Sequence, residues 1–184
     1  FAGHESGLNF SAQGNTLASE AVVQAMAAAY QRGTGTMAER LMDALDAGGA
    51  QGGDTRGMQS AGILVVKPLD PKSESTVERV VDIRVDDHEE PFKELRRLLQ
   101  MTLGVPQRLT AASADLAKAG RHAEAVTEMQ KALAINPRNE AAMYALAQRY
   151  AQAGQPARAI EQLAVAIRRQ PKQRDDSTAD NPGR

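Results

Sequence analysis

The sequence predicts an α+β domain followed by an all-helical repeat segment, and two observations support this division. Twelve of the fifteen glycines lie in residues 1–104, whereas alanine is concentrated in the shorter segment 105–184. The first segment carries 10 basic and 15 acidic residues, net −5, and the second carries 12 and 8, net +4. We therefore expect a domain of residues 1–104, helical repeats over 105–171 and a disordered tail of 172–184.

Composition excludes several classes of protein. The 184 residues contain no cysteine, which excludes a disulfide framework, a cysteine zinc site and a thiol nucleophile. A net charge of −1 and only six aromatic residues argue against nucleic-acid binding. No apolar run approaches the roughly 18 residues of a membrane span. We expect a cytoplasmic protein without cofactor, resident metal, nucleic-acid partner or membrane partner, and homo-oligomerisation is left open. Because the chain starts with Phe1 and not with Met, we also expect a piece of a longer protein.

Residues 1–16 have a composition typical of a loop or a sheet edge. Two helices are predicted after them. A helix over 18–31 presents an apolar stripe at spacings of four, and Gly33 ends it; the stripe is Val22, Met26 and Tyr30. A second helix starts at Thr36, because Thr36 and Glu39 have the spacing of a capping box. Gly48-Gly49 is expected to end this helix. Its predicted buried face is Met37, Leu41 and Leu45.

Two strands and a third helix complete the first segment. Residues 61–66 are continuously apolar, which predicts a strand covered on both faces. Residues 77–85 alternate, with Val81, Ile83 and Val85 on one face, and we expect the two strands to pair antiparallel around a turn bounded by Pro68 and Pro71. An acidic turn at 86–90 precedes Pro91 at the first position of a helix over 91–103. That helix should bury Phe92, Leu95, Leu99 and Leu103.

Residues 105–171 repeat with a period of 34. The matching pairs are Gly120 and Gly154, Ala125 and Ala159, Ala132 and Ala166, and Pro137 and Pro171. Glycine suits a turn between helices, alanine allows close helix packing and proline ends a helix. The repeat resembles the tetratricopeptide repeat and predicts helices over 107–118, 121–134, 139–152 and 156–169. Two repeats are fewer than the roughly three that bury a continuous core, so they should dock on the first domain, another copy or a partner.

The resemblance implies that the repeats bind a protein or peptide on the first helix of each hairpin. The exposed polar candidates for partner binding are Gln107, Arg108, Asn139, Glu140, Gln148 and Arg149. The alternative is that these side chains form an ordinary solvated helix surface. The first repeat is degenerate, since Leu109, Ala112, Ser113 and Leu116 occupy the positions of Met143, Leu146, Ala147 and Tyr150 in the second.

Three motifs in the first segment carry polar groups suited to a site. The substrate-binding candidates are His4, Asn15, Asp54, Arg56, Gln59, Ser60, Asp86 and His88. Glycine in the loop around Asp54 permits positive φ and close approach of another group. Alternatively Asp54 holds the loop by accepting backbone N–H groups, and Arg56 pairs with an acidic neighbour. His88 either binds a metal with Asp86-Asp87 or belongs to the cap of the following helix.

These motifs resemble a known family over roughly residues 1–103. The quoted order is AGH-x-x-G, QGN-x-L, GGD-x-RG-x-QSA before an apolar strand, DIRVDDH, and an E-L-x-R-L-L helix. It is similar to the C-terminal portion of an uncharacterised bacterial family, a domain of unknown function placed in the N-terminal nucleophile hydrolase-like superfamily. The resemblance implies part of an αββα sandwich, in which two antiparallel sheets stack between helical layers.

The superfamily implies amide-bond hydrolysis by a Thr, Ser or Cys at the start of the mature chain, with its own α-amine as base. Phe1 has no nucleophilic side chain, so the resemblance implies that the nucleophile is absent here and that this chain is inactive. Self-cleavage before Thr55 is a further hypothesis, although a surface turn explains Thr55 better. The competing hypothesis is a non-catalytic scaffold or peptide-binding protein that works through its repeats. A third is a cell-wall or peptide-ligand binder that uses the repeats for targeting.

Overall fold

A computed structural model describes residues 1–67 and 78–169, and the chain divides into two compact units, Phe1–Leu103 and Gly104–Arg184. The predicted tail of 172–184, the turn at Pro68–Pro71 and Val77 all lie outside the described residues. No helix in the described ranges is long and apolar enough to cross a membrane.

The first unit opens with a hairpin where the sequence predicted loop or sheet edge. β1 (Gly3–Gly7) pairs antiparallel with β2 (Phe10–Gly14) around a two-residue turn. The helix α1 (Ala21–Arg32) begins three residues later than predicted and ends at Gly33 as expected. Its most deeply buried residues are Val22 and Val23, while Met26 and Tyr30 are half-buried.

The helix α2 (Met37–Ala50) starts with the predicted capping box. Glu39 N donates to Thr36 Oγ1 at 3.3 Å, and Thr36 N donates to Glu39 Oε2 at 2.8 Å. The prediction of a buried Met37 was wrong, because this side chain is 54% exposed. Leu41 and Leu45 are partly buried against the core cluster as predicted, but the most deeply buried large side chain is Met42, beside Ala38. The centre of the buried face therefore lies about one residue further around the helix.

The pair Gly48-Gly49 does not end α2, which continues to Ala50. Gly48 is buried within the helix, and a Cβ at that position would lie 2.7 Å from Cγ of Met26 in α1. The absence of a Cβ at Gly48 therefore allows α1 and α2 to pack closely. The helix continues through this position although glycine costs about 1 kcal/mol relative to alanine in a helix interior.

The sheet of the first unit's core consists of β3 (Ala61–Lys67) and β4 (Glu78–Val85), paired antiparallel as predicted. The register sets Ile63 opposite Ile83 and Val65 opposite Val81. The prediction that β3 is covered on both faces was wrong, since Leu64 is 55% exposed. Among the described residues of this unit, helices pack on the other face only. The buried cluster on that face is Ala38, Met42, Ile63, Val81, Val85, Leu95 and Leu99.

The helix α3 (Pro91–Thr102) begins at Pro91 as predicted and buries Leu95 and Leu99, with Phe92 and Leu103 partly buried. It is joined to α2 by Arg96, whose guanidinium donates to Asp46 Oδ2 at 2.7 Å and to Asp43 Oδ1 at 2.8 Å. Both contacts lie at the margin of the helix pair and orient α3 on α2.

The second unit is a pair of helical hairpins, and each helix lies within two residues of its predicted bounds. The helices are α4 (Val105–Lys118), α5 (His122–Ile135), α6 (Glu140–Gln152) and α7 (Pro156–Arg169). Gly120 and Gly154 have φ of 75° and 71° in the two hairpin turns. The repeated alanines are all buried; they are Ala125, Ala132, Ala159 and Ala166. The prediction of an α+β unit and helical repeats is confirmed.

Candidate functional site

A glycine-rich loop between α2 and β3 holds most of the predicted site residues. Gly52, Gly53 and Gly57 have φ of 98°, 50° and 100°, a region that side chains with a Cβ rarely adopt. Gly57 N donates to Asp54 O at 3.0 Å, which closes a tight turn around Thr55 and Arg56. The loop lines an open cavity of about 560 Å³ whose other wall is Phe92.

Asp54 and Arg56 form a bidentate ion pair inside this loop. Arg56 Nε donates to Asp54 Oδ1 at 2.9 Å, and its Nη2 donates to Oδ2 at 2.6 Å. The backbone N–H of Arg56 also donates to Oδ1 at 2.9 Å. These hydrogen bonds lower the pKa of Asp54 to about 2, and the same pairing raises the pKa of Arg56. Asp54 is therefore a fixed anion at neutral pH and is unsuited to general acid or base work.

The loop is tied to the segment that follows the first hairpin. Thr55 N and Thr55 Oγ1 both donate to Thr16 O, at 2.8 and 3.0 Å, and Ala18 N donates to Gly53 O at 2.9 Å. Thr16 has a φ of 56°, which costs a β-branched residue strain energy of order 1–3 kcal/mol. The Thr55 hydroxyl therefore donates its hydrogen bond to a backbone carbonyl. This is the arrangement of a surface turn, which the sequence favoured over self-cleavage before Thr55.

The other end of the loop contacts the acidic turn before α3. Gln59 Nε2 donates to Asp87 Oδ1 at 3.3 Å, and His88 N donates to Gln59 O at 3.1 Å. His88 Nδ1 accepts from Glu90 N at 2.9 Å, so this imidazole holds the turn at the start of α3. Among the described residues no group of three or more His, Asp or Glu side chains is placed to hold a metal.

His4 and Asn15 lie in a different groove from the glycine-rich loop. The β1–β2 register sets His4 opposite Gln13, and the open groove of about 590 Å³ beside them includes Asn15. Thr16 Oγ1 donates to Asn15 Oδ1 at 3.4 Å. The structure therefore brings Asp54, Arg56, Gln59 and Ser60 to one cavity. The turn that carries Asp86 and His88 adjoins that loop.

The partner-binding candidates of the repeats differ in their local roles. Asn139 caps α6, since its Oδ1 accepts from Ala142 N at 3.1 Å. Arg149 Nε donates to Ser113 Oγ at 3.3 Å, and Ser113 Oγ donates in turn to Ala125 O at 2.7 Å. Arg108 and Gln148 are exposed.

Sequence reasoning missed two residues that organise these sites. Ser113 is fully buried, and its hydrogen bonds connect α4 with α5 and α6. The only sequence feature that could have indicated this role is a small hydroxyl side chain at a position expected to be buried. Thr16 accepts both Thr55 donors with its carbonyl, and no sequence pattern marks a positive φ at threonine.

The fold and its sites define a two-unit protein, in which a polar loop sits on an α+β unit and tetratricopeptide-type hairpins form the second unit. The chain belongs to the Family of unknown function (DUF1028), whose model matches residues 1–95. A tetratricopeptide repeat model matches residues 116–176, which confirms the repeat assignment. No curated protein and no solved structure matches the chain.

Proposed function

We propose that the chain is a protein-interaction module that binds an acidic peptide segment through the first helices of its two hairpins. Tetratricopeptide repeats generally mediate protein–protein interactions. The observation that carries the proposal is the contact of Arg149 Nε with Ser113 Oγ, because it joins α6 to α4. The two helices then present Gln148 and other exposed polar groups along one surface.

The chemistry of the partner follows from charge. Residues 105–169 carry nine basic and five acidic residues, net +4. Three of the five acids are already paired within the unit, namely Asp115, Glu124 and Glu128. The helices α4 and α6 carry three basic and two acidic residues themselves, net +1, and most of the remaining excess lies on α7 and in the turns. The unit as a whole therefore attracts a segment rich in Asp and Glu through a long-range field, which makes the association sensitive to salt.

Fluorescence anisotropy with short labelled peptides tests this proposal. Peptides of the same apolar content but acidic, neutral or basic polar residues are titrated with the intact chain. We expect only the acidic peptide to bind at micromolar to millimolar concentration. Arg108→Glu in α4 should weaken binding by about tenfold, an effect of about 1.4 kcal/mol.

Lys131→Glu is the matched control, since it makes the same charge change on α5, where Lys131 pairs with Glu128. It should leave the affinity within about threefold, because it changes only the long-range field. Equal binding of all three peptides, or equal loss in both variants, would contradict the proposal.

A second candidate function concerns the first unit, which we propose to be of the amide-bond hydrolase class with an N-terminal nucleophile hydrolase-like fold. Its support is the layering of α2 and α3 on one face of an antiparallel sheet whose other face exposes Leu64 and Val66, as in half of an αββα sandwich. In this proposal the loop from Asp54 to Ser60 contacts the substrate and the nucleophile is not among the candidate residues.

The binding of N-acetyl amino-acid amides, followed by amide chemical shifts in NMR, tests the second candidate. Shifts should concentrate in residues 53–60 and 86–88 and should shrink in Arg56→Ala. Gln13→Ala, in the separate groove beside His4, is the control and should leave the shifts unchanged. Shifts that are absent at millimolar ligand, or that spread over both units, would refute the substrate-contact role.

A further inference from the structure

The outer face of α7 exposes a continuous apolar stripe. Ile160 is 68% exposed, Leu163 37% and Ile167 60%, and their spacing of three and four residues places them on one side of the helix. In the described part of the repeat unit, only Tyr144 among the other large apolar side chains is comparably exposed. The buried side of the same helix is formed by Ala159 and Ala166.

Two charges of opposite sign border this stripe on one flank. Glu161 and Arg168 are seven residues apart, two helical turns, so they lie nearly above one another beside the stripe. Both are exposed, and neither forms an ion pair with another residue in the ranges 1–67 and 78–169. Other charged side chains of the unit do pair locally, as Arg121 does with Glu124.

We propose that α7 pairs with α7 of a second copy of this chain in an antiparallel, two-fold arrangement. In such a pair the same flank of each helix meets across the interface with its direction reversed. Centring the pair near Ala164 brings Ile160 and Ile167 of both copies together. It also sets Glu161 opposite the partner's Arg168 and Arg168 opposite the partner's Glu161. A parallel arrangement would not produce these two reciprocal ion pairs.

The size of the face sets the strength of the dimer. A helix of 14 residues is about 21 Å long, so one face buries less than the roughly 800 Å² per partner of a stable complex. The dimer is therefore weak, concentration-dependent and weakened by salt, since its ion pairs are exposed. Ala164 and Ala157 beside the stripe allow the two helix backbones to approach closely.

Sedimentation equilibrium of the intact chain tests the proposal. The weight-average mass should rise with protein concentration from 19.7 kDa toward twice that value. Glu161→Arg alone and Arg168→Glu alone should each weaken self-association by about tenfold, because both reciprocal pairs become repulsive. The double variant Glu161→Arg/Arg168→Glu should restore it.

A mixture of the two single variants gives the sharpest outcome. Each variant alone repels itself, but a heterodimer between them contains two attractive pairs, so the mixture should associate where neither component does. Lys131→Glu, which lies on α5 and outside the stripe, should leave self-association unchanged, whereas Ile160→Ser/Ile167→Ser should abolish it. A monomeric mass at all concentrations, or failure of the mixture to associate, would overturn the proposal.

Discussion

The corrected buried face of α2 makes a quantitative prediction for Met42→Ala. Met42 has no solvent exposure and packs in the cluster that joins α2 and α3 to the sheet. The substitution removes three heavy atoms, worth about 2.4 kcal/mol at ~0.8 kcal/mol each, and leaves a cavity that adds about 1 kcal/mol. We therefore expect a loss of about 3 kcal/mol in the free energy of unfolding of the first unit.

Met37→Ala is the matched control, since it deletes the same atoms from the same helix at a position that is 54% exposed. Its effect should stay within about 0.5 kcal/mol, as for other surface substitutions. The comparison also tests the buried face that the sequence alone predicted, which included Met37 and omitted Met42.

Hydrogen exchange followed by mass spectrometry measures the effect separately in the two units. Protection of the slowest amides in β3, β4 and α3 should fall by roughly 150-fold in Met42→Ala and by less than about threefold in Met37→Ala. Amides of α5 and α6 serve as the internal reference. An equal loss in the two variants, or a larger loss in Met37→Ala, would refute the assigned face.

Three other predictions concern single positions. Thr36→Ala removes the side-chain oxygen that accepts from Glu39 N, so the free energy of opening the first turn of α2 should fall by about 1 kcal/mol. Hydrogen exchange of the amides in that turn measures the change. Gly154→Ala should destabilise the repeats by about 1 kcal/mol in urea denaturation, because φ is 71° with open space around the Cβ; no change would contradict the backbone explanation. The Asp54 carboxyl should titrate near pH 2 by ¹³C NMR, and Arg56→Ala should return its midpoint toward the ordinary value near 4.

The sign of the Asp54 effect follows from the lowered pKa. A carboxyl with a pKa of about 2 in the folded chain and an ordinary value when unfolded stabilises the loop at pH values above the unfolded pKa. That contribution declines as the pH falls through the range between the two values, and it is absent below the folded pKa. A loop that loses its NMR signature near pH 5 would contradict the assigned pairing.

Periodicity predicted the repeat unit most accurately, because glycine, alanine and proline each have one steric role at a fixed spacing. The bounds of α4 to α7 follow from turns at Gly120 and Gly154, where φ is positive. The local hydrogen bonds of the Thr36 capping box were equally predictable, since they depend on residues three apart.

The errors arose where tertiary packing decides. Gly48 was predicted to end α2 because glycine has a low helix propensity. In the structure its missing side chain leaves room for Met26 of α1. Continuous apolar sequence in β3 indicated two covered faces, but Leu64 is exposed because the helices of the described ranges pack on the opposite face. Within the site, the sequence allowed Arg56 to pair with an acidic neighbour without naming it, and the structure shows that this neighbour is Asp54. The contact of Thr55 with Thr16 joins residues 39 positions apart, so no local sequence pattern indicated it.

Mapping the acidic peptide on the intact chain by ¹H–¹⁵N NMR tests the proposed interaction most directly. The largest shifts should fall on α4 and α6, around Arg108, Gln148 and Arg149, and they should diminish as salt is added. Amides of the first unit should stay unperturbed. Shifts that fall mainly on α5 or on residues 53–60, or that persist at high salt, would contradict the assignment of α4 and α6 as the binding surface.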